Sequence, residues 1–333
     1  MDKPIENKWF EGVDSLRFIL ATIVLLSHFF ASETDLLNNF TNKSVKMIAY
    51  ALHYIFNGTA AVIAFFVISG FVIHVSNKRI SNIKKFFFRR YLRILGPLSI
   101  ISAIGILFHH PEKGVVWSLI CELAYYSIYP VLIRLKISWE RKFLISLAIA
   151  TLVILIGAKH EFTAFIYQDK NVFHGYYWQL GPFVTWIIGL PCWLLGVIIA
   201  EKINIYQNVS LQKLVIMRCI VFATSILLNV LKMEFYLSFV LSMNLFAVLI
   251  YYWVLFEVVY FKKNQANHFL EYFGKSSYSL YIVHPVAFII LQLVFRLRSY
   301  TILPYLFFII LIAHLFYLVV EYPLHKLAKK IQF

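Results

Sequence analysis

Three ionisable residues, Arg17, His28 and Glu122, lie inside apolar runs, where a charge is costly. Groups kept at such depth are candidates for chemistry. Arg17 and His28 are eleven positions apart. At about 100° per residue they share a helix face, about 16 Å apart along the axis. Glu122 closes the run Trp117-Ser118-Leu119-Ile120-Cys121-Glu122 in a later segment. Its expected depth equals that of His28, roughly 20 Å from the inner surface. A histidine beside a carboxylate makes a general base, because the carboxylate orients the imidazole and raises its basicity. The same two residues could equally be a buried contact holding two helices together. Depth alone does not choose between these readings.

Other residues frame that pair. Ser69-Gly70 sits in the middle of an apolar run, where a missing side chain permits close approach by another helix or by a threaded ligand. Ser69 as a nucleophile lacks a general base within helical reach. The run Lys84-Lys85-Phe86-Phe87-Phe88-Arg89-Arg90-Tyr91-Leu92-Arg93 reads first as an anchor for anionic headgroups. It reads more sharply as a phosphate clamp, with Arg89 and Arg93 four apart and pointing the same way. Pro97 should bend the helix that follows. Near the end, His284-Pro285 is expected shallowly within the inner leaflet, with a carbonyl freed by the proline. Glu321-Tyr322-Pro323 marks the last membrane exit. His109 and His110 fall in an outer loop. Metal-ligand spacing such as HExxH is absent, so no metal is expected.

Composition says what must position these groups. Of 333 residues, 61% are hydrophobic and 14% charged. A soluble domain of this length cannot bury so much apolar surface in its own core, so the rest must face lipid. The abundance of Phe (32) and Tyr (21) suits lipid contact and interfacial belts. A net charge of +15 raises nucleic acid as a partner. The basic residues occur in short clusters between apolar runs, which argues for headgroups and an anionic small molecule instead. Cys121, Cys192 and Cys219 lie in apolar segments and form no readable disulfide framework. The first apolar run contains Arg17 and His28, so it reads as a retained span, not a signal peptide.

Ten spans are expected, at 15–31, 58–76, 92–108, 115–134, 143–158, 180–200, 214–231, 236–260, 278–296 and 303–322. The fold class is therefore all-α and polytopic, in a single transmembrane domain over 1–333. Placing the N-terminus inside puts most of the flanking Lys and Arg inside, including the 84–93 run and Arg134, Lys136, Arg141 and Lys142. That bias sets both termini in the cytoplasm.

Taken in order, these motifs resemble the membrane-bound acyltransferase-3 family. The resemblance rests on Arg17 and His28, on Phe65-Phe66-x-x-Ser69-Gly70-Phe71 and on Arg89-Arg90-x-x-Arg93. It continues with Trp117-Ser118-Leu119-x-x-Glu122 and with Ser277-Tyr278-Ser279-Leu280-Tyr281-x-x-His284-Pro285. It covers essentially the whole chain. It implies an enzyme of the bacterial inner membrane that takes an acetyl or other short acyl group from acetyl-CoA or another acyl-CoA. The implied acceptor is a hydroxyl of a cell-surface carbohydrate such as O-antigen, capsule or exopolysaccharide. Many relatives carry a fused extracytoplasmic domain. None is expected here, so a separate partner protein could supply that part.

The expected mechanism has the CoA phosphates on Arg89, Arg90 and Arg93, helped by Arg17. The pantetheine arm threads past Ser69 and Gly70, and the acceptor lies near Trp117 and Ser118. His28 then acts as base with Glu122 as its partner. A rival reading is a transporter of an acyl group or small solute, using His28 and Glu122 as a proton relay. A membrane glycosyltransferase or flippase should need an acidic metal or lipid-phosphate site. With 16 scattered acidic residues it fits less well.

Overall fold

The computed structural model describes residues 10–32, 43–78, 80–107, 115–206, 208–294 and 302–331. Regular structure among them is entirely helical. In chain order the helices are α1 (Val13–Ser32), α2 (Lys43–Ile55), α3 (Gly58–Asn77), α4 (Ile83–Leu107) and α5 (Val116–Arg134). Next come α6 (Trp139–Gly157), α7 (Lys159–Tyr167), α8 (Pro182–Lys202), α9 (Leu211–Phe235) and α10 (Phe239–Phe261). The chain closes with α11 (His268–Gly274), α12 (Ser277–Val294), α13 (Ile302–Phe316) and α14 (Tyr322–Lys330). Eight helical segments are long and apolar enough to cross a membrane, and the bent pairs α6–α7 (69°) and α11–α12 (65°) bring the total to ten. These are the ten runs expected from sequence, so the protein is an all-α polytopic membrane protein. His109, His110, Arg79 and the loop before α5 lie outside the described residues.

Large apolar side chains on the outside, such as Leu245, Leu303 and Phe183, are exposed. Lipid solvates them, whereas water would drive aggregation. Helices α3, α8 and α10 form the interior, with apolar residues on most faces. Gly70 of α3 and Gly196 of α8 let these two helices touch. A Cβ at Gly70 would overlap the Trp193 carbonyl, and one at Gly196 would overlap the Val67 carbonyl. Such mutual contact between small residues is what drives helix association in lipid.

Two buried groups in the bundle are paired across helices. Glu257 is buried and takes two bonds from Arg218, at 2.6 and 2.8 Å, which join α9 to α10. His74 lies 3.0 Å from Tyr129 Oη and 2.7 Å from Glu201, tying α3 to α5 and α8. A buried charge left without such a partner would be strongly destabilising.

The start of α1 is held from a distance in sequence. Glu271 of α11 accepts the backbone N–H groups of Gly12 (3.0 Å) and Ser15 (2.8 Å), and the Ser15 hydroxyl (2.6 Å). A carboxylate thus fills the N-terminal orphan donors of α1 and meets its positive dipole end. Gly274 abuts the Asp14 carbonyl where a side chain would not fit. Together these contacts fix the height and rotation of α1, and so of Arg17 and His28.

Candidate active site

Helices α1, α3, α4, α5 and α12 surround an open cavity of about 720 Å³. Of the residues singled out from sequence, Arg17, Ser69, Arg90, Arg93, Ser118 and Glu122 line it. Sequence separations of up to 105 positions, from Arg17 to Glu122, close into one wall. The lining combines three guanidinium groups with one carboxylate, so the cavity favours an anion.

The basic run is not a stub before the third span but the first turns of α4 itself. Asn82 caps the helix, accepting the Lys85 N–H at 3.0 Å. On a continuous helix Arg90 and Arg93 share a side, and Arg89 points about 100° away from Arg90. Arg89 instead donates to the carbonyls of Ala328 (3.2 Å) and Lys329 (3.3 Å), capping α14. Arg90 and Arg93, and not the expected Arg89 with Arg93, therefore line the cavity. The Arg90 guanidinium lies 6.0 Å from the ring centroid of Tyr126. Pro97 leaves α4 unbroken. It cannot donate to the Arg93 carbonyl, and the Tyr278 hydroxyl donates to the next carbonyl, that of Ile94, at 2.7 Å.

Glu122 is built into the wall. Its Oε1 accepts the Ser69 hydroxyl at 3.0 Å and a short bond from the Tyr126 hydroxyl, one helical turn on. Ser69 Oγ in turn accepts Trp193 Nε1–H at 3.3 Å. Ser69 is thus a link between α8, α3 and α5, not a free nucleophile.

His28 meets a different partner from the one its depth suggested. Its Nδ1 lies 2.8 Å from Nε2 of His284. His284 Nδ1 lies 3.1 Å from the Leu280 carbonyl, which can only accept. The His284 proton therefore sits on Nδ1, its bare Nε2 accepts from His28, and the His28 proton sits on Nδ1. His28 Nε2 is left as an unprotonated lone pair. The His28 ring is accessible although protein surrounds most of it, whereas His284 is buried. The direct His28–Glu122 pair that a relay or a carboxylate-oriented base would use is not formed.

His28 connects to the cavity through α12. Tyr281 lines the cavity, donating or accepting a 2.6 Å bond with Ser118 Oγ, and its ring lies 6.3 Å from that of His284. His284 was expected in the shallow leaflet. It lies against His28, on the helix that follows the 65° bend between α11 and α12. Pro285 frees the Tyr281 carbonyl in the same turn.

Two further expectations change. Gly70 does not face the cavity, because its bare side is filled by the α8 backbone at Trp193 and Val197. Trp117 also lies behind the lining. It is buried, stacked on Trp178 at 5.0 Å and set edge-on to Phe66 at 6.1 Å. Tyr126 was missed from sequence, and Tyr278, Tyr281 and His284 were seen in a motif without a site role. Tyr126 was findable, since it stands four positions after Glu122 on one helix face.

Among the described residues this is a positively charged cavity with the His28–His284 pair outside its lining. A family model for the acyltransferase-3 family, described as an acyltransferase domain, matches residues 10–320. No curated protein and no solved structure matches the chain.

Proposed function

The chain belongs to the acyltransferase-3 family, and from that premise we propose that it is an acyl-CoA-dependent O-acyltransferase acting on a cell-surface carbohydrate. The donor is cytoplasmic acetyl-CoA or another short acyl-CoA. The acceptor is a hydroxyl of O-antigen, capsule or exopolysaccharide. The enzyme lies in the bacterial inner membrane with both termini in the cytoplasm, as the basic flanks of its spans argue. It needs no nucleic acid, and a separate partner protein could present the acceptor.

The lone pair on His28 Nε2 carries this reading. His28 takes the proton of the acceptor hydroxyl as the oxygen attacks the thioester carbonyl. The tetrahedral intermediate collapses, the C–S bond breaks, and the imidazolium returns its proton to the CoA thiolate. The products are the ester and free CoA. His284 accepts the Nδ1–H throughout, holding the tautomer and the ring angle as the buried carboxylate does in hydrolase triads. Arg90, Arg93 and Arg17 hold the donor phosphates as forked cations. Glu122 keeps Tyr126 and Ser69 ordered in the wall beside the acyl arm. Holding both reactants in line supplies most of the entropic advantage.

The test compares surface glycans from cells with and without the intact gene by mass. A shift equal to one acetyl or short acyl group per modified sugar is the expected result. Identical glycan masses, with the protein present in the membrane, would refute the acceptor class.

A further inference from the structure

Away from the cavity, three side chains converge where α6 bends into α7. His160 and Glu161 open α7, and His174 comes from the segment that leads to α8. His160 Nε2 lies 3.4 Å from Glu161 Oε1, and His174 Nδ1 lies 3.6 Å from the same oxygen. One ligand atom from each residue falls within 4.8 Å of the other two. A tetrahedral ion with bonds of about 2.0–2.1 Å sets its ligand atoms about 3.3 Å apart. Two of the three edges are already near that length.

Glu161 makes the cluster more than a chance meeting. Its side chain is fully buried. Oε1 accepts the backbone N–H groups of His174 (3.0 Å) and Gly175 (3.3 Å), which fix the carboxylate in place. Oε2 is buried and has no hydrogen-bond partner. A buried carboxylate oxygen without a donor calls for a positive charge. The Gln179 side-chain oxygen, Oε1, stands 3.3 Å from His160 Nε2, within reach of a fourth position.

The geometry points to a metal site formed by His160, Glu161 and His174, taking a divalent zinc-type ion. Two imidazoles and one carboxylate suit zinc and its borderline neighbours, whereas calcium and magnesium require mainly oxygen ligands. The sequence expectation of no metal rested on the lack of HExxH spacing; the turn after α7 brings the third ligand back from thirteen positions away. The ion would brace the segment that carries Tyr177 and Trp178. Trp178 stacks on Trp117 at the start of α5, so the brace reaches the wall of the cavity. This inference stands independently of the acyl-transfer reading.

The competing account is charge balance alone, with a protonated histidine and Lys232 neutralising Glu161. Lys232 lies over the rings of Tyr176 and Phe239, within electrostatic reach of that carboxylate. Full-length protein in detergent, stripped with a chelator, would be titrated with zinc alone against a chromogenic competitor, and with cobalt(II) for its ligand-field spectrum. One tightly held zinc per chain and a tetrahedral cobalt spectrum are expected. His160→Ala with His174→Ala should weaken zinc by at least about a hundredfold and abolish the spectrum. Should that double variant or Glu161→Gln fail to fold, His174→Ala alone serves, because its side chain is 60% exposed. It should weaken zinc by at least about tenfold. No zinc bound by the unaltered chain, or affinity unchanged in these variants, would overturn the site.

Discussion

A hydrogen bond to one nitrogen of an imidazole fixes which nitrogen is left free to act as a base. In this protein the holding group is a second histidine, and a backbone carbonyl fixes which way the pair is wired. A neutral partner steadies an imidazolium less than a carboxylate would, but it avoids placing a second buried charge beside the ring. The arginines divide along similar lines. Arg93 faces the cavity, within electrostatic reach of Glu122, Glu321 and Asp14, while Arg89 is spent on the α14 carbonyls. Arg93→Ala should raise the KM for acyl-CoA about tenfold or more with a smaller change in kcat. Arg89→Ala should leave that KM within about twofold. Steady-state kinetics on both variants at varied donor checks the contrast, and equal effects would remove Arg93 from the donor site.

The helices place these groups by contacts that span the whole chain. Glu271 fixes the start of α1, and the Gly70–Gly196 contact fixes α3 against α8. Glu271→Ala strips three hydrogen bonds from a helix start. It should lower unfolding stability by about 2 kcal/mol. Thermal unfolding in detergent measures this, and an unchanged midpoint would show that α1 is held by packing alone. The spans themselves were legible in sequence, because a run of apolar residues can satisfy its backbone in lipid only as a helix. The partners of His28 and Glu122 were not legible. Rotation about each helix axis and the bends at α6–α7 and α11–α12 arise from packing between distant segments. Hence Glu122 turned to Ser69 and Tyr126, His28 turned to His284, and Gly70 turned to α8. The Arg89–Arg93 pairing is absent for a simpler reason. Pairing Arg89 with Arg93 by their spacing of four ignored which side of α4 faces α14.

The molecule as a whole presents a positive cavity, with the accessible ring of His28 outside its lining. The proposed function requires a phosphate-bearing donor and an outer acceptor to meet without either crossing the bilayer. Sealed membrane vesicles of known orientation test that arrangement. Acyl-CoA should be consumed only when it is supplied to the face carrying the termini and the 84–93 basic run. Equal consumption from both faces would contradict a one-sided donor site. The most direct test uses purified His28→Ala, shown to be folded by an unchanged unfolding midpoint, in a coupled measurement of thiol release and acyl ester formation. Loss of transfer by about a thousandfold, with donor affinity kept, is the predicted result. Transfer at a near-normal rate by that folded variant would contradict the assignment of its imidazole as the base.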